Sequence, residues 1–232
     1  VHYPDTLGLT SEYPGYLCRY IEETLPGCSA MFLQGAGADS RPLGTVEGDH
    51  FVHRSLDYIK NMASSMSSGV IKKLNTDAFS LIEPSLKSIS FKVDIPVEKA
   101  GIDYFKDACT NENLSAHLRR NAEYVYRNYD ELPNSFTLEC GLIQLSRNLL
   151  IVHMGGEPVC EVKFMLEKVL KGYDILFSGY TDACAYIVTD EIIEEGGYEV
   201  RCFLEYMHKG KIKKGISNLI SSAFKDAINQ LA

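Results

Sequence analysis

The segment that most constrains the fold is a short, continuously apolar run at residues 30–33 that leads into a glycine-rich loop at residues 34–42. A run of this length without polar alternation is typical of a strand covered on both faces, as in the sheets of α/β proteins. Gly35 and Gly37 let the loop turn tightly. In such folds, ligands bind at the carboxyl ends of the strands, where backbone N–H groups can face a substrate. The segment therefore predicts an α/β fold with a ligand site at this loop.

The rest of the chain carries both helical and strand periodicities. The 3.6-residue pattern predicts helices at residues 17–25 (after a turn at Pro14 and Gly15), 48–74, 159–170 and 212–231. Strand patterns cover residues 89–95 (ending at Pro96), 136–145, 149–154, 174–180 and 185–189. Arg147 and Asn148 can turn the chain between the second and third of these strands, which predicts a hairpin. A further turn is expected at residues 194–199.

Residues 97–130 differ from the apolar segments around them, because they form two polar helical patterns. We interpret them as a peripheral helical insertion. Nothing else in the 232 residues demands a second domain, so residues 1–232 are expected to form one. The expected architecture is a mixed β-sheet flanked by helices.

Charge and composition exclude several partners. The 23 basic and 31 acidic residues give a formal charge of -8, which would repel nucleic acid. No apolar run approaches the roughly 20 residues of a membrane span. The seven cysteines form no Cys-x-x-Cys pair, and an odd number cannot all be bridged within one chain. Reduced thiols and a cytoplasmic location are the simpler interpretation.

Four segments, in order along the chain, carry a resemblance to a known family. They are residues 2–15 (His-Tyr-Pro-Asp-Thr-Leu-Gly, then Ser-Glu-Tyr-Pro-Gly), the loop at 32–42, Gly-Glu-Pro at 156–158, and residues 186–199. Together they resemble the neutral/alkaline, non-lysosomal ceramidases and their bacterial relatives. The likeness covers nearly the whole chain and corresponds to the C-terminal part of the ceramidase catalytic domain, with the N-terminal part absent.

The resemblance implies a zinc-dependent amide hydrolase. In the family, two His, a Glu and a Tyr hold a zinc ion that activates water and polarises an amide carbonyl, which suits hydrolysis of ceramide or another N-acyl amide. Carried over by position, His2 and Glu157 would be zinc ligands. Asp39 would brace the loop, whose N–H groups could face an oxyanion.

Three departures separate the chain from the family pattern. The loop position of the catalytic Ser is Gly35 here, so it offers no hydroxyl. The Tyr ligand position falls on Ala183 or on Cys184, depending on the alignment, and only Cys184 could bind metal, as a thiolate. The first zinc His has no counterpart. The predicted site is therefore Gly35 and Asp39 as catalytic positions, with His2, Glu157 and Cys184 as metal ligands.

Each predicted ligand has an alternative interpretation. His2 also fits a surface histidine, Glu157 a first-turn carboxylate favoured by a helix dipole, and Cys184 a buried apolar thiol. Gly35 and Gly37 would serve a tight turn under either interpretation.

The remaining candidate side chains carry less chemistry. His50 and His53 flank a helix start at a spacing that could bind metal, but a solvated face is preferred. Asp39 with His2 or His153 stays open as a hydrolytic pair, since such pairs are recognised by geometry. Four lysines before the last helix, Lys209, Lys211, Lys213 and Lys214, are interpreted as a solvated basic helix start.

Three hypotheses follow. The first is a ceramidase-like amide hydrolase acting on a small-molecule or lipid amide, with its zinc site completed by the N-terminal remainder of the domain. The second is a non-catalytic relative that has lost its metal. The third is a hydrolase of another amide or an ester, because residues 97–130 show no sign of a lipid groove.

Overall fold

The structure, a computed structural model, describes residues 9–48, 50–77, 79–182 and 185–231, which fall into two compact units. The first unit comprises Val1–Leu33 and Arg41–Ile82, and the second Gln34–Ser40 and Glu83–Ala232. Within the described ranges, no helix is both long and apolar enough to cross a membrane. The six cysteines in those ranges are free thiols, as predicted.

Two helices and a short hairpin build the first unit. Its elements are α1 (Glu12–Thr24), a 3-10 turn (Leu43–Thr45), β1 (Val46–Glu47), β2 (His50–Phe51) and α2 (Leu56–Thr76). The two helices pack together, with Leu17, Ile59 and Ala63 buried.

Both predicted helix starts in this unit are wrong. Helix α1 begins at Glu12 and includes Pro14, because proline fits the first helical turn, where no N–H is needed. Helix α2 begins at Leu56 and not at residue 48, because Ser55 caps it by accepting a hydrogen bond from the Tyr58 N–H at 3.2 Å.

The strand predicted at residues 30–33 is also wrong. The backbone there is irregular, and Met31 and Leu33 are 81% and 48% exposed. A four-residue apolar run has a strand's composition, but it becomes a strand only where a neighbouring strand accepts its backbone hydrogen bonds.

A five-stranded mixed sheet forms the centre of the second unit, in the order β7-β5-β4-β3-β9. The strands are β3 (Pro84–Lys99), β4 (Ser135–Ser146), β5 (Leu149–Met154), β7 (Asp174–Ser178) and β9 (Gly210–Ile212). All neighbours are antiparallel except β5 and β7. The predicted hairpin across Arg147 and Asn148 is confirmed as β4 and β5. A separate parallel pair joins β6 (Glu157–Pro158) to β8 (Tyr186–Ile187).

Strand β3 is longer than the predicted 89–95 and runs through Pro96. At Pro96 the strand pairs with β4 on one side, whereas β9 pairs only with residues 97–99. An edge position of this kind tolerates the missing N–H of proline.

One face of the sheet packs against α5 (Cys160–Val169) and α8 (Ile216–Leu231). Leu142, Leu150 and Val152 from the sheet are fully buried there, with Leu166 and Phe224 from the helices. The predicted α/β fold, a mixed sheet flanked by helices, is confirmed. Helix α8 starts later than predicted because residues 210–212 form β9 instead.

The two helices predicted between residues 97 and 130 are confirmed as α3 (Ile102–Thr110) and α4 (Ala116–Arg127). They share a small core, formed by Phe105, Ala108, Ala122, Val125 and Leu204, that is separate from the main one. Leu204 comes from much later in the chain and links this helix pair to the next segment.

The chain from residue 190 to 209 is more helical than predicted. It forms α6 (Asp190–Glu195), α7 (Tyr198–Arg201) and a 3-10 helix (Cys202–Tyr206), so the turn at 194–199 shrinks to Gly196 and Gly197. The interpretation of Lys209 as solvated is wrong. Lys209 is only 4% exposed, because its ammonium lies 5.1 Å from the Tyr129 ring centroid and 3.4 Å from Asn134 Oδ1.

Candidate functional site

The glycine-rich loop lies at the carboxyl end of the parallel strand β7, where ligands bind in many α/β folds. Gly179, directly after β7, donates its N–H to Gln34 O at 2.9 Å. On the other side of the loop, the Ala38 N–H donates to Pro158 O at 3.2 Å. Residues 34–40 are therefore tied to both the central sheet and the β6–β8 pair.

Asp39 fastens the same loop to helix α5. Its Oδ1 accepts the Cys160 N–H at 3.0 Å, and Ser40 Oγ lies 3.1 Å from Cys160 Sγ. Burial raises the pKa of the Cys160 thiol, which therefore stays protonated at neutral pH. The catalytic role predicted for Asp39 stays a prediction, but its carboxylate has a structural use at the first residue of α5.

The two loop glycines differ in what their surroundings allow. A Cβ at Gly35 would meet nothing closer than Phe177 O at 3.8 Å, so sterics do not require glycine there. A Cβ at Gly37 would lie 2.5 Å from Gln34 Nε2 and 3.7 Å from the hydroxyl of Tyr180. A larger residue would therefore fit at Gly35. At Gly37, the side chain of Gln34 lies too close to the backbone for a Cβ to be added without a shift.

Two tyrosine hydroxyls converge on Glu157, the predicted metal ligand in β6. Tyr206 donates to Glu157 Oε1 at 2.8 Å, and Tyr180 lies close enough to this carboxylate to feel its negative charge. Burial, then the negative charge of Glu157, raises the pKa of Tyr180 to about 12. The pKa of Tyr206 is raised too, by burial and then by this hydrogen bond. Both phenols are therefore protonated donors at neutral pH.

Tyr180 has an unusual backbone for a residue with a side chain, with φ of 60°. Non-glycine residues in this left-handed region cost free energy and cluster at functional sites. Its N–H donates to Gly156 O at 2.9 Å, which holds the conformation. In this conformation the Tyr180 side chain lies near both Glu157 and Gly37.

More tyrosines surround this pair. The Tyr186 ring makes edge contacts with Tyr206 and Tyr198, each with ring centroids 5.8 Å apart. Tyr198 in turn donates to Glu205 Oε1 at 2.6 Å. Glu157 therefore lies at the edge of an aromatic cluster in which the hydroxyls of Tyr206 and Tyr198 donate to carboxylates.

The structure tests the predicted metal ligands only in part. His2, Cys184 and the alternative position Ala183 lie outside the described residues. Glu157 lies in β6, before the first residue of α5, so its interpretation as a first-turn helix carboxylate is wrong. Among the described residues, no group of three or more His, Cys, Asp or Glu side chains could hold a metal ion.

The sequence offered three other histidines as candidates, His50, His53 and His153. His50 and His53 belong to the first unit. His153 on β5 lines a cavity of about 140 Å³ with Ser90, Lys92 and Glu139. Burial lowers the pKa of His153, and the nearby charge is that of Glu139. Asp39 binds Cys160 instead, so the structure does not bring Asp39 and His153 together as a hydrolytic pair.

Sequence reasoning missed Tyr180 and Tyr206. Tyr180 directly follows the strand pattern at residues 174–180, but nothing in its local sequence distinguishes it from the other tyrosines. Nothing local marks Tyr206, which reaches Glu157 from 49 residues further along the chain.

No protein-family model matches the sequence, and no curated protein matches it either. Among solved structures, the neutral ceramidase from Pseudomonas aeruginosa has a similar fold, with a TM-score of 0.59 and 13% sequence identity. The match covers 94% of this chain and 40% of the ceramidase chain, so this chain spans less than half of that length. At this identity the likeness shows the fold, and membership of the ceramidase family stays a prediction.

Proposed function

We propose that this chain forms part of a ceramidase-like hydrolase that cleaves an N-acyl amide bond, with ceramide as one candidate substrate. The observation that carries the proposal is the placement of Glu157 and Tyr180 beside the glycine-rich loop, in a fold similar to that of a neutral ceramidase. A carboxylate, a protonated phenol and loop N–H groups at one place are the groups that amide hydrolysis needs.

Zinc belongs to this proposal, with His2, Glu157 and Cys184 as its ligands. Within the described residues the fit is partial, because Glu157 is the one proposed ligand that lies there, with the phenol of Tyr180 beside it. The ceramidase resemblance gives the Glu ligand to Glu157 and the Tyr position to Ala183 or Cys184, so Tyr180 would act beside the metal as a hydrogen-bond donor. Bound zinc would supply Lewis-acid polarisation of the amide carbonyl and a water of lowered pKa.

The residues of this chain would bind and orient the amide. Tyr180, protonated because its pKa is about 12, can donate a hydrogen bond to the developing oxyanion. Tyr206 holds one oxygen of Glu157 and thereby fixes the orientation of the carboxylate. Loop N–H groups near Gly35 would add donors, since the serine hydroxyl of the family is missing there.

The test measures zinc content and hydrolysis on the same preparation. Fatty-acid release would be followed from ceramides, short N-acyl amides and matched esters, for the parent and for Glu157→Gln. Glu167→Gln is the control, because Glu167 is an exposed partner of Lys163 on α5. We expect bound zinc and amide cleavage in the parent, both reduced about 10-fold or more in Glu157→Gln and unchanged in the control.

A non-catalytic relative is the second candidate. Two observations favour it: Gly35 offers no catalytic hydroxyl, and Glu157 already accepts a hydrogen bond from Tyr206. A parent protein that binds no zinc and releases no fatty acid from any amide or ester would contradict the hydrolase and support this alternative. Cleavage of esters or short amides without cleavage of ceramide would keep the hydrolase and exclude ceramide as its substrate.

A further inference from the structure

The 3-10 helix Cys202–Tyr206 connects two parts of the second unit, the small core of α3 and α4 and the surroundings of Glu157. On one side, Leu204 is buried in the small core of α3 and α4. Phe203 joins it there, with its ring centroid 5.7 Å from that of Tyr104 and 6.3 Å from that of Phe105. On the other side, the last residue of this helix is Tyr206, which donates to Glu157.

A single buried amide holds the end of this 3-10 helix. Asn121 on α4 is only 7% exposed, and its Nδ2 donates to Leu204 O and to Glu205 O, each at 3.1 Å. His117 Nε2, one turn earlier on α4, lies 3.3 Å from the same nitrogen. Leu204 O also accepts the Met207 N–H at 3.2 Å, whereas the donor to Glu205 O is Asn121. Carbonyls at a helix end need donors from outside the helix when they are buried.

The position of these two carbonyls determines where Tyr206 lies. The carbonyl of Glu205 belongs to the same planar peptide group as the nitrogen of Tyr206. A hydrogen bond to the Glu205 carbonyl therefore also fixes the position of the Tyr206 backbone nitrogen. Immediately afterwards Met207 adopts a left-handed conformation with φ of 57°, which ends the helix. After Tyr206, the Met207 N–H donates to Leu204 O at 3.2 Å and the His208 N–H to Phe203 O at 3.1 Å, so the bond from Asn121 to Glu205 O is what ties Tyr206 to α4.

We propose that Asn121 is a positioning residue that holds the 3-10 helix so that the Tyr206 hydroxyl reaches Glu157. The helix pair α3 and α4 is then a support for the carboxylate and not a peripheral insertion. This inference rests on the proposed function for its significance, because Glu157 is the carboxylate assigned to the amide-binding site. The arrangement itself does not depend on which reaction occurs.

The test replaces the amide while keeping the size of the side chain. Asn121→Leu removes both donors, whereas Asn121→Ser keeps one donor and adds no bulk. Asn128→Leu is the polar control, because Asn128, the C-cap of the same helix, donates to Tyr124 O and not to the 3-10 helix. Val125→Ala is the packing control, because Val125 is fully buried in the small core.

The readout is the fluorine NMR signal of Tyr206 in full-length protein labelled with 3-fluorotyrosine, assigned by its loss in Tyr206→Phe. In the parent at pH 7, the Tyr206 signal is expected to differ in chemical shift from those of exposed tyrosines, because its hydroxyl donates to Glu157. In Asn121→Leu we expect the Tyr206 signal at pH 7 to move to the chemical shift of the exposed tyrosines, as the hydrogen bond to Glu157 is lost. Asn121→Ser should give a smaller change in the same direction, and it serves alone if the leucine variant does not fold.

An unchanged Tyr206 signal in folded Asn121 variants would overturn the inference. An equal change in Val125→Ala would also overturn it, because general loosening of the small core would then be the cause. Where the parent hydrolyses amides, kcat should fall about 10-fold in Asn121→Leu with KM little changed. A parent without hydrolysis contradicts the proposed function alone, since the NMR comparison does not need activity.

Discussion

At the scale of single residues, the site is defined by what surrounds each side chain and not by residue type. Gly35 and Gly156 illustrate this, because both lie in glycine-rich segments that the sequence analysis connected with function. Gly35 has open space around a would-be Cβ. Gly156 has φ of 75° and a would-be Cβ 2.9 Å from Ala185 O and 2.7 Å from Ile187. Only the second position requires glycine.

We therefore expect opposite results from two matched substitutions. Gly35→Ala and Gly35→Ser should change the free energy of unfolding by no more than about 0.5 kcal/mol. Gly156→Ala should lower it by about 2 kcal/mol or more, because a side chain there strains the backbone and meets a carbonyl. Urea unfolding followed by circular dichroism measures both. A large loss of stability in Gly35→Ala would contradict the open space around a Cβ at this position.

The tyrosines around Glu157 predict how stability depends on pH. The folded protein keeps the Tyr180 proton up to about pH 12, whereas an unfolded tyrosine loses it near the ordinary pKa of about 10. A pKa raised by folding gives a contribution that is complete below pH 10 and is lost as the pH rises towards 12. Burial raises the pKa of Cys140 to about 12 as well, from the ordinary thiol pKa of about 9, so it acts in the same direction.

The free energy of unfolding should therefore fall with pH above about 9 to 10. Tyr180→Phe should make this fall shallower, because one of the groups that titrate differently on unfolding is gone. Tyr124→Phe is the control, since Tyr124 is 47% exposed on α4. Urea midpoints measured from pH 8 to 11 provide the test, and parallel curves for the parent and Tyr180→Phe would contradict the raised pKa.

At the scale of elements, the sequence predicted segments whose partners are close in the chain. The β4–β5 hairpin formed as expected because both alternating strands and their turn are local. The strand predicted at residues 30–33 did not form, because a strand needs a neighbouring strand to accept its backbone hydrogen bonds. The local sequence does not show whether such a neighbour is present. Lys209 was assigned to solvent because lysine usually is exposed, whereas Tyr129 and Asn134, 75 or more residues earlier, enclose it.

The candidate site was harder to predict than the fold for the same reason. Glu157 and the loop around Asp39 carry recognisable local sequence, so they could be singled out without a structure. Tyr206 and Asn121 contribute through contacts with residues 49 and more than 80 positions away. Such contacts depend on how the 3-10 helix packs, and no periodicity or spacing encodes them.

At the scale of the whole molecule, the two compact units differ in the size of their cores. Among the described residues of the first unit, the buried apolar side chains are Leu17, Ile59 and Ala63, on α1 and α2. The second unit buries a large continuous cluster that spans its sheet, α5 and α8. Because local stability follows the apolar surface that an element buries, the helices of the first unit should open at a lower free energy than the strands β4 and β5.

Hydrogen exchange read by mass spectrometry can resolve this difference within one intact protein. In the parent, amides of α1 and α2 should exchange faster than those of β4 and β5. Ile59→Ala, which removes a fully buried side chain, should speed exchange in α1 and α2 and leave β4 and β5 unchanged. Met66→Ala on the same helix is the control, because Met66 is 41% exposed and its loss creates little cavity. If Ile59→Ala accelerated exchange equally in all four elements, the chain would unfold as one cooperative body, and the separation into two units would carry no energetic meaning.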